Sequence, residues 1–304
     1  MLHIKTPATT ANLGCGFDSI GMALKLYNEL WIEETDGRLE INLISEHRSS
    51  IPLNENNLIY RTIKDFYSCI GKKAPNVRMY QKDCIPMTRG LGSSAACIVS
   101  GILAANALSR AKKTSDELLR YAARIEGHPD NAAPAMLGGI VVGAMNEKEL
   151  RYVRLETPKD LRFAAIIPSF SLSTEKARKL LPKMIPHKDA VFNASRAGLL
   201  IASLIEHRYD NLHMALDDRL HQPYRKEIIP DFENIFKKAK EYGARGVFLS
   251  GAGPTIIAVL SKNESFEHNM ENYLRPLKGG WVLNIMDADD AGATVDEGCL
   301  TSEE

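Results

Sequence analysis

Residues 85–107 of this 304-residue chain, IPMTRGLGSSAACIVSGILAANA, constrain the fold more than any other stretch. A polar loop, Pro86-Met87-Thr88-Arg89, leads into Gly90-Leu91-Gly92-Ser93-Ser94 and then into a run of small apolar residues of helical length. Glycine lets a backbone take positive φ and come close to a ligand. The first turn of a helix has unpaired N–H donors and the positive end of the dipole, and both favour an anion. Ser93 and Ser94 add hydroxyls suited to phosphate oxygens or to the magnesium ion that a phosphate brings. The stretch reads as a triphosphate cradle, with a serine-capped helix packed tightly on a neighbour as the structural alternative. No GxxxxGK[ST] segment supplies a Walker loop. A dinucleotide fingerprint should directly follow a strand and place an acid about 20 residues on. Here Pro86 interrupts the approach, and Lys112 and Lys113 stand at that distance.

The length corresponds to about two domains of roughly 150 residues. With 38 basic and 38 acidic residues, nothing in the overall charge points to nucleic acid or an anionic membrane as a partner. Cys15, Cys69, Cys84, Cys97 and Cys299 are scattered and form no CxxC or Cys/His cluster, as expected of a reduced protein without structural zinc. Residues 1–5 do not read as a signal peptide. The longest apolar run, within residues 95–108, is too short for a bilayer span. A soluble, cytoplasmic, globular protein is expected.

Taken in order, residues 2–5 read as a strand ended by Pro7, and residues 7–21, PATTANLGCGFDSIG, as a loop dense in small polar residues. Residues 25–34 and 38–45 read as a hairpin about Thr35-Asp36-Gly37. The pattern predicts a helix over 57–70, capped by Asn56 or Asn57, and a strand over 77–81 ahead of the glycine loop. A Thr114-x-x-Glu117 capping box opens a helix over 115–125. Gly127 and Pro129 stop it and leave Glu126, His128, Asp130 and Asn131 in a rigid turn. A strand at 140–144, a tip at 146–151 and a strand at 152–155 follow. Thr157-Pro158-Lys159-Asp160 is polar and aperiodic, dividing the chain into domains 1–157 and 158–304. The second half reads as a strand at 162–168, helices from 173 and over 190–206, 210–216 and 231–242, and strands at 246–250 and 255–260. A helix at 265–274, a strand at 281–286 and an acidic tail frayed from Asp287 complete it. Strands and helices mix without regular βαβ repetition, which predicts α+β in both halves.

Three small-residue loops, 7–21, 86–96 and 250–255, follow the order and spacing of the three signature motifs of the GHMP small-molecule kinases, and the chain resembles that family nearly end to end. PMTRGLGSSAA resembles the family's ATP-phosphate loop. PATTANLGCGFDSIG, EGHPDNAAPAMLGG (126–139), STEKAR (173–178), HQPYR (221–225) and SGAGPT (250–255) resemble the branch that phosphorylates the hydroxyl of L-homoserine on the route to threonine. The resemblance implies a first domain like the second domain of ribosomal protein S5, a ferredoxin-like second domain, and a homodimer as one possible assembly. It places ATP on Pro86, Met87, Thr88, Arg89, Gly90, Leu91, Gly92, Ser93, Ser94, Ala95 and Ala96, with Asn57 against adenine. Mg²⁺ falls to Ser94 and Glu126, and homoserine to Asn12, Asp18, His128, Asp130, Asn131, Arg178 and Arg225. Asp130, Thr174 and Arg178 take the catalytic roles, and Gly251 and Gly253 close the floor.

Chemistry agrees with that assignment. Asp18 can face an ammonium while Arg178 and Arg225 clamp a carboxylate in planar, bidentate fashion. Phosphoryl transfer needs positioning and charge neutralisation, which loop N–H groups, Mg²⁺, Arg89 and Thr174 can supply. Each residue alone has a plainer reading. Asp18 and Asp130 could be helix caps, Arg178 and Arg225 surface charges, His128 a packed turn residue and Glu126 a solvated helix end. Two departures from the family pattern stand out. Glu126 lies only four residues before Asp130, whereas many members carry the metal-binding acid well upstream. Thr9 stands where mevalonate kinases carry a lysine that supports an aspartate base, so Asp130 either accepts the hydroxyl proton or only orients the hydroxyl.

Overall fold

A computed structural model describes residues 1–44, 51–261 and 264–298. Its first half is built on β1 (Leu2–Ala11) and β2 (Ile20–Glu34), antiparallel along their length with a bulge between Pro7 and Ala8. Pro7 therefore does not end the strand. It sits at the irregularity, where a missing N–H disturbs no regular ladder. β3 (Glu40–Leu43) does not fold back on β2, so the hairpin expected about Asp36-Gly37 is absent. It runs parallel to β4 (Val77–Lys82), which lies between β2 and β3. Ser45, at the end of the expected strand, lies outside the described residues. The first residues of β2 also pair with β5 (Ile140–Met145), and β5 makes the expected hairpin with β6 (Leu150–Leu155).

Four helices cover this sheet: α1 (Leu58–Cys69), α2 (Ser93–Ser109), α3 (Ser115–Glu126) and α4 (Pro129–Leu137). The Asn57 side chain accepts from the N–H groups of Ile59 and Tyr60 and so starts α1, while the Thr114–Glu117 capping box starts α3. Gly127, at positive φ, ends α3, and Pro129 opens α4 as its first residue, where its missing N–H is harmless. The turn expected at 126–131 is thus only two residues long, Gly127 and His128. α2 is apolar on all sides, the signature of a buried helix. It packs Val99 and Ile102 among Ile4, Ile32, Ile63, Phe66 and Met79.

The second half runs β7 (Arg162–Ile167), α5 (Thr174–Lys179), α6 (His187–Ile205), two single turns α7 (Leu212–Ala215) and α8 (Gln222–Arg225), and α9 (Phe232–Glu241). It continues through β8 (Gly246–Leu249), β9 (Ile256–Leu260), α10 (Glu264–Leu274) and β10 (Val282–Met286). The sheet order β10-β7-β9-β8, antiparallel throughout, is the ferredoxin-like arrangement. Side chains alternate between its faces. Ile166, Leu249 and Ile256 pack with Phe232, Ile235 and Phe266 on one side. Phe163, Phe248 and Ile257 pack on the other with Leu200 and with Ile20, Met22 and Leu91 of the first half. One apolar layer therefore joins the two halves and fixes the loops above it.

The described part of the tail, residues 287–298, is ordered rather than frayed. Lys25 N–H bonds Asp287 O, Asp289 N–H bonds Ala23 O, and Tyr27 Oη donates to Asp289 Oδ2 at 2.7 Å. β11 (Thr294–Glu297) then adds to the outer edge of β1, giving the first sheet a seventh strand drawn from beyond residue 158. Among the described residues no helix is long and apolar enough to cross a membrane, and Cys15, Cys69, Cys84 and Cys97 are free thiols.

Candidate active site

The three small-residue loops meet at the seam between the halves and are bonded to one another. Thr9 N–H donates to Leu91 O, Gly251 N–H to Ala11 O, and Thr255 N–H to Arg89 O, at 3.1, 3.1 and 3.2 Å. Asn12 Nδ2 reaches Gly251 O at 2.8 Å, and Ser250 Oγ donates to Gly90 O at 2.6 Å. Such close approach is what the glycines permit. A Cβ on Gly90 would lie 2.3 Å from Ser250 O, and one on Gly92 would lie 1.9 Å from Thr9 Oγ1, with both residues at positive φ.

Gly92 is the N-cap of α2, and this helix start has no side-chain cap and no acid in its first turn. The dipole end and the leading N–H groups are thus left for an anion, and a triphosphate fits that cradle. At its mouth Ser94 Oγ donates to Glu126 Oε1 at 3.0 Å. Burial raises the Glu126 pKa, against the opposing effects of the Ser94 bond and the His128 charge. This pair of hard oxygen donors suits a magnesium ion.

α4 brings Asp130, 2% exposed, under the cleft with its carboxylate bonded to His128 Nδ1. Burial alone would lower the His128 pKa, but the Asp130 bond and the charges of Asp130 and Asp18 outweigh it and raise it. Asn131 Oδ1 accepts from Thr9 Oγ1 at 2.8 Å. Asp18, His128 and Asp130 bring ligand-type atoms within 4.8 Å of one another, a setting that suits a cation. The short α5, capped by Ser173, presents Thr174 and Arg178 to the cleft, and Arg178 makes a two-bond pair with Asp18. That bond, ahead of the opposing burial, raises the Arg178 pKa. From α8, Arg225 enters fully buried, its pKa pushed down to about 10 by burial and then by the charge of Arg178.

All the expected site residues border this one cleft except Asn57, Pro86, Met87, Ala96 and Gly253. Pro86 and Met87 line a neighbouring hollow of about 650 Å³ with Ile51, Ile85, Ile167 and Pro168. Ala96 is buried in α2. Asn57 is committed elsewhere. Its amide protons go to Pro52 O and Gln81 Oε1 and its oxygen to two helix N–H groups, so no group is left to meet a base. Arg89 borders the cleft, yet its guanidinium is turned onto the carbonyls of Met87, Pro168 and Ser169 and braces the glycine loop against the end of β7. His221, which is not among the expected site residues, bonds Arg225. Its signal was the one-turn spacing inside HQPYR.

The fold and this site define a class: the chain belongs to the GHMP kinases, with residues 57–139 matching the GHMP kinases N terminal domain and residues 200–274 the GHMP kinases C terminal domain. Within that class its relatives are homoserine kinases. It is 49% identical over 298 residues to the homoserine kinase of Caldicellulosiruptor saccharolyticus, spanning 97% of this chain and 96% of that one. It is 45% identical over 301 residues to the homoserine kinase of Petrotoga mobilis, spanning 98% of each. The crystal structure of homoserine kinase from Cytophaga hutchinsonii superposes with a TM-score of 0.87 at 29% identity, covering 97% of both chains. A mevalonate kinase structure, at 18% identity and a TM-score of 0.72 over 95% of this chain, shares the fold.

Proposed function

We propose that this cleft transfers the γ-phosphoryl group of ATP to the hydroxyl of L-homoserine, giving O-phospho-L-homoserine and ADP. One observation carries the reading: an uncapped helix start and a set of two arginines with two carboxylates share a single cleft. The first seats a polyanion and the second an amino acid. N–H groups at the start of α2, with the Ser93 and Ser94 hydroxyls, hold the phosphates. Losing one such donor typically costs roughly 10²–10³ in rate. Ser94 and Glu126 would hold a magnesium ion, which would supply charge neutralisation to the phosphates.

Arg178 and Arg225 take the substrate carboxylate, and Asp18 takes the ammonium. Asn12 and Asn131 supply neutral hydrogen bonds around the same molecule. Asp130 keeps one carboxylate oxygen on His128 and turns the other to the hydroxyl, which it orients and from which it takes the proton. Thr174 sits beside the transferred group. Because proton transfer of this kind contributes typically about 10²–10⁴-fold, Asp130→Asn lowers kcat by that order with little change in KM for ATP.

An ADP-release assay with homoserine, serine, threonine and mevalonate as acceptors tests the assignment. Turnover with homoserine well above the others is expected. Turnover with a different alcohol and none with homoserine would make the chain a GHMP kinase of another specificity.

A further inference from the structure

Arg225 is 1% exposed, and its orientation is not left to the substrate. Its Nη1 donates to Gly251 O at 2.8 Å and to His221 Nδ1 at 3.2 Å. Both protons of that nitrogen are thereby engaged, and the Nε–H is buried with no partner among the described residues. A planar fork with Nη1 engaged can receive a carboxylate only from its Nε–Nη2 side.

The chemistry of His221 is equally constrained. It is fully buried, with Nε2 2.7 Å from Gly14 O. A carbonyl only accepts, so Nε2 carries the proton. Nδ1 faces an arginine N–H, so it presents its lone pair. The neutral Nε2–H tautomer alone satisfies both contacts. The backbone beneath is also fixed: Asp218 accepts from the N–H groups of Leu220, His221 and Gln222 and from the amide of Asn193. The Phe17 ring stacks on His221 at 5.3 Å, and Arg225 lies over the same ring at 5.4 Å. His221 and Arg225 stand one turn apart, so this contact is built into α8.

We propose that His221 is a positioning residue for the acceptor substrate: as the Nε2–H tautomer it sets the plane of the Arg225 guanidinium so that the remaining edge meets the amino-acid carboxylate. This rests on the reading of Arg225 as a carboxylate ligand. Burial holds the ring neutral, its pKa pushed down to about 4 with the charge of Arg225 reinforcing the effect and those of Asp218 and Asp18 and the Gly14 carbonyl opposing it.

Three variants separate the contacts. His221→Gln keeps a donor for Gly14 and withdraws the acceptor at Arg225. His221→Asn keeps an acceptor near the Nδ1 position. His221→Phe removes both and keeps the ring. His221→Gln and His221→Phe are expected to raise KM for homoserine about 10–100-fold, the range for a lost hydrogen bond to a charged group. KM for ATP should change by less than about threefold, because uniform loss marks a general structural fault. His221→Asn should recover most of the homoserine KM. With aminopropanol, which keeps the hydroxyl and ammonium and lacks the carboxylate, the variants should match the parent enzyme. An equal loss for homoserine and ATP, or a loss as large with aminopropanol, overturns the proposal. If His221→Phe does not fold, His221→Gln gives the same reading. Arg225→Ala tells the two layers apart. An unchanged homoserine KM there removes the carboxylate reading itself, whereas a raised KM beside unaffected His221 variants removes only the positioning role.

Discussion

Arg178 and Asp18 hold one another end-on, Nη2 donating to Oδ1 at 2.7 Å and Nη1 to Oδ2 at 3.1 Å. The proposed function gives these residues opposite ends of the substrate, and their pairing is compatible with both roles. An amino acid brings the same two charges with the opposite placement. Its carboxylate can replace Asp18 on Arg178 while its ammonium replaces Arg178 on Asp18. Neither charge is left uncompensated, which is the expensive outcome for a sheltered ion.

From this exchange, Arg178→Ala and Asp18→Ala should each raise KM for homoserine about 10–100-fold, as charge-assisted bonds to the substrate are lost. KM for ATP should barely move. The double variant should lose less than the product of the single effects, since each single change strands the partner. Steady-state kinetics on the three proteins checks this, and full multiplicativity would mean that the two residues act independently.

The Ser94–Glu126 bond locates the metal test. Glu126→Gln should raise the Mg²⁺ concentration for half-maximal activity by roughly 10-fold or more, the scale on which changes to a site's support alter metal affinity. Ser94→Ala should do so as well. A magnesium titration at saturating ATP and homoserine reads the effect, and an unchanged midpoint in both variants would place the ion elsewhere.

Gly92→Ala should be destabilising and should impair ATP binding together. The new methyl would lie 1.9 Å from Thr9 Oγ1, at a φ of +69°. The left-handed conformation alone costs a side chain about 1–2 kcal/mol. Relief of the overlap must then shift β1 or the cradle. Thermal melting with and without an ATP analogue should show a lower Tm and a smaller ligand-induced rise.

Stability should also carry a signature of His221. Its pKa in the folded protein lies at about 4, below its ordinary value of 6.5. Between those values the unfolded chain binds a proton that the folded chain refuses. The contribution is whole above pH 6.5 and disappears as the pH falls toward 4, with a limit on the order of 3 kcal/mol. Urea unfolding across that interval should give a slope that His221→Phe flattens.

What could be read from residues alone was local chemistry. The Asn57 cap, the Thr114–Glu117 box and the glycine approach to α2 each depend on a few consecutive residues, and all three are present. Pairing between distant segments was not legible. Asp36-Gly37 speaks only to its neighbours, whereas β3 finds β4 some way down the chain. Pro7 looked like a strand end because a bulge is a property of two strands. In the site, the residue types were legible and their partners were not. Arg89 looked free for phosphate, but the carbonyls that hold it come from the end of β7. The same limit hid His221 behind Arg225.

The return of β11 to β1 has an engineering consequence. The two halves are not exchangeable modules, because a cut near residue 158 would take a strand from the first sheet and bare the outer edge of β1, an invitation to aggregation. The same return brings Gly298 N–H to within 3.1 Å of Met1 O. A short linker there would close the described chain into a ring, and the exposed tip at 146–149 offers a place to reopen it, yielding a circular permutant with every strand of both sheets retained.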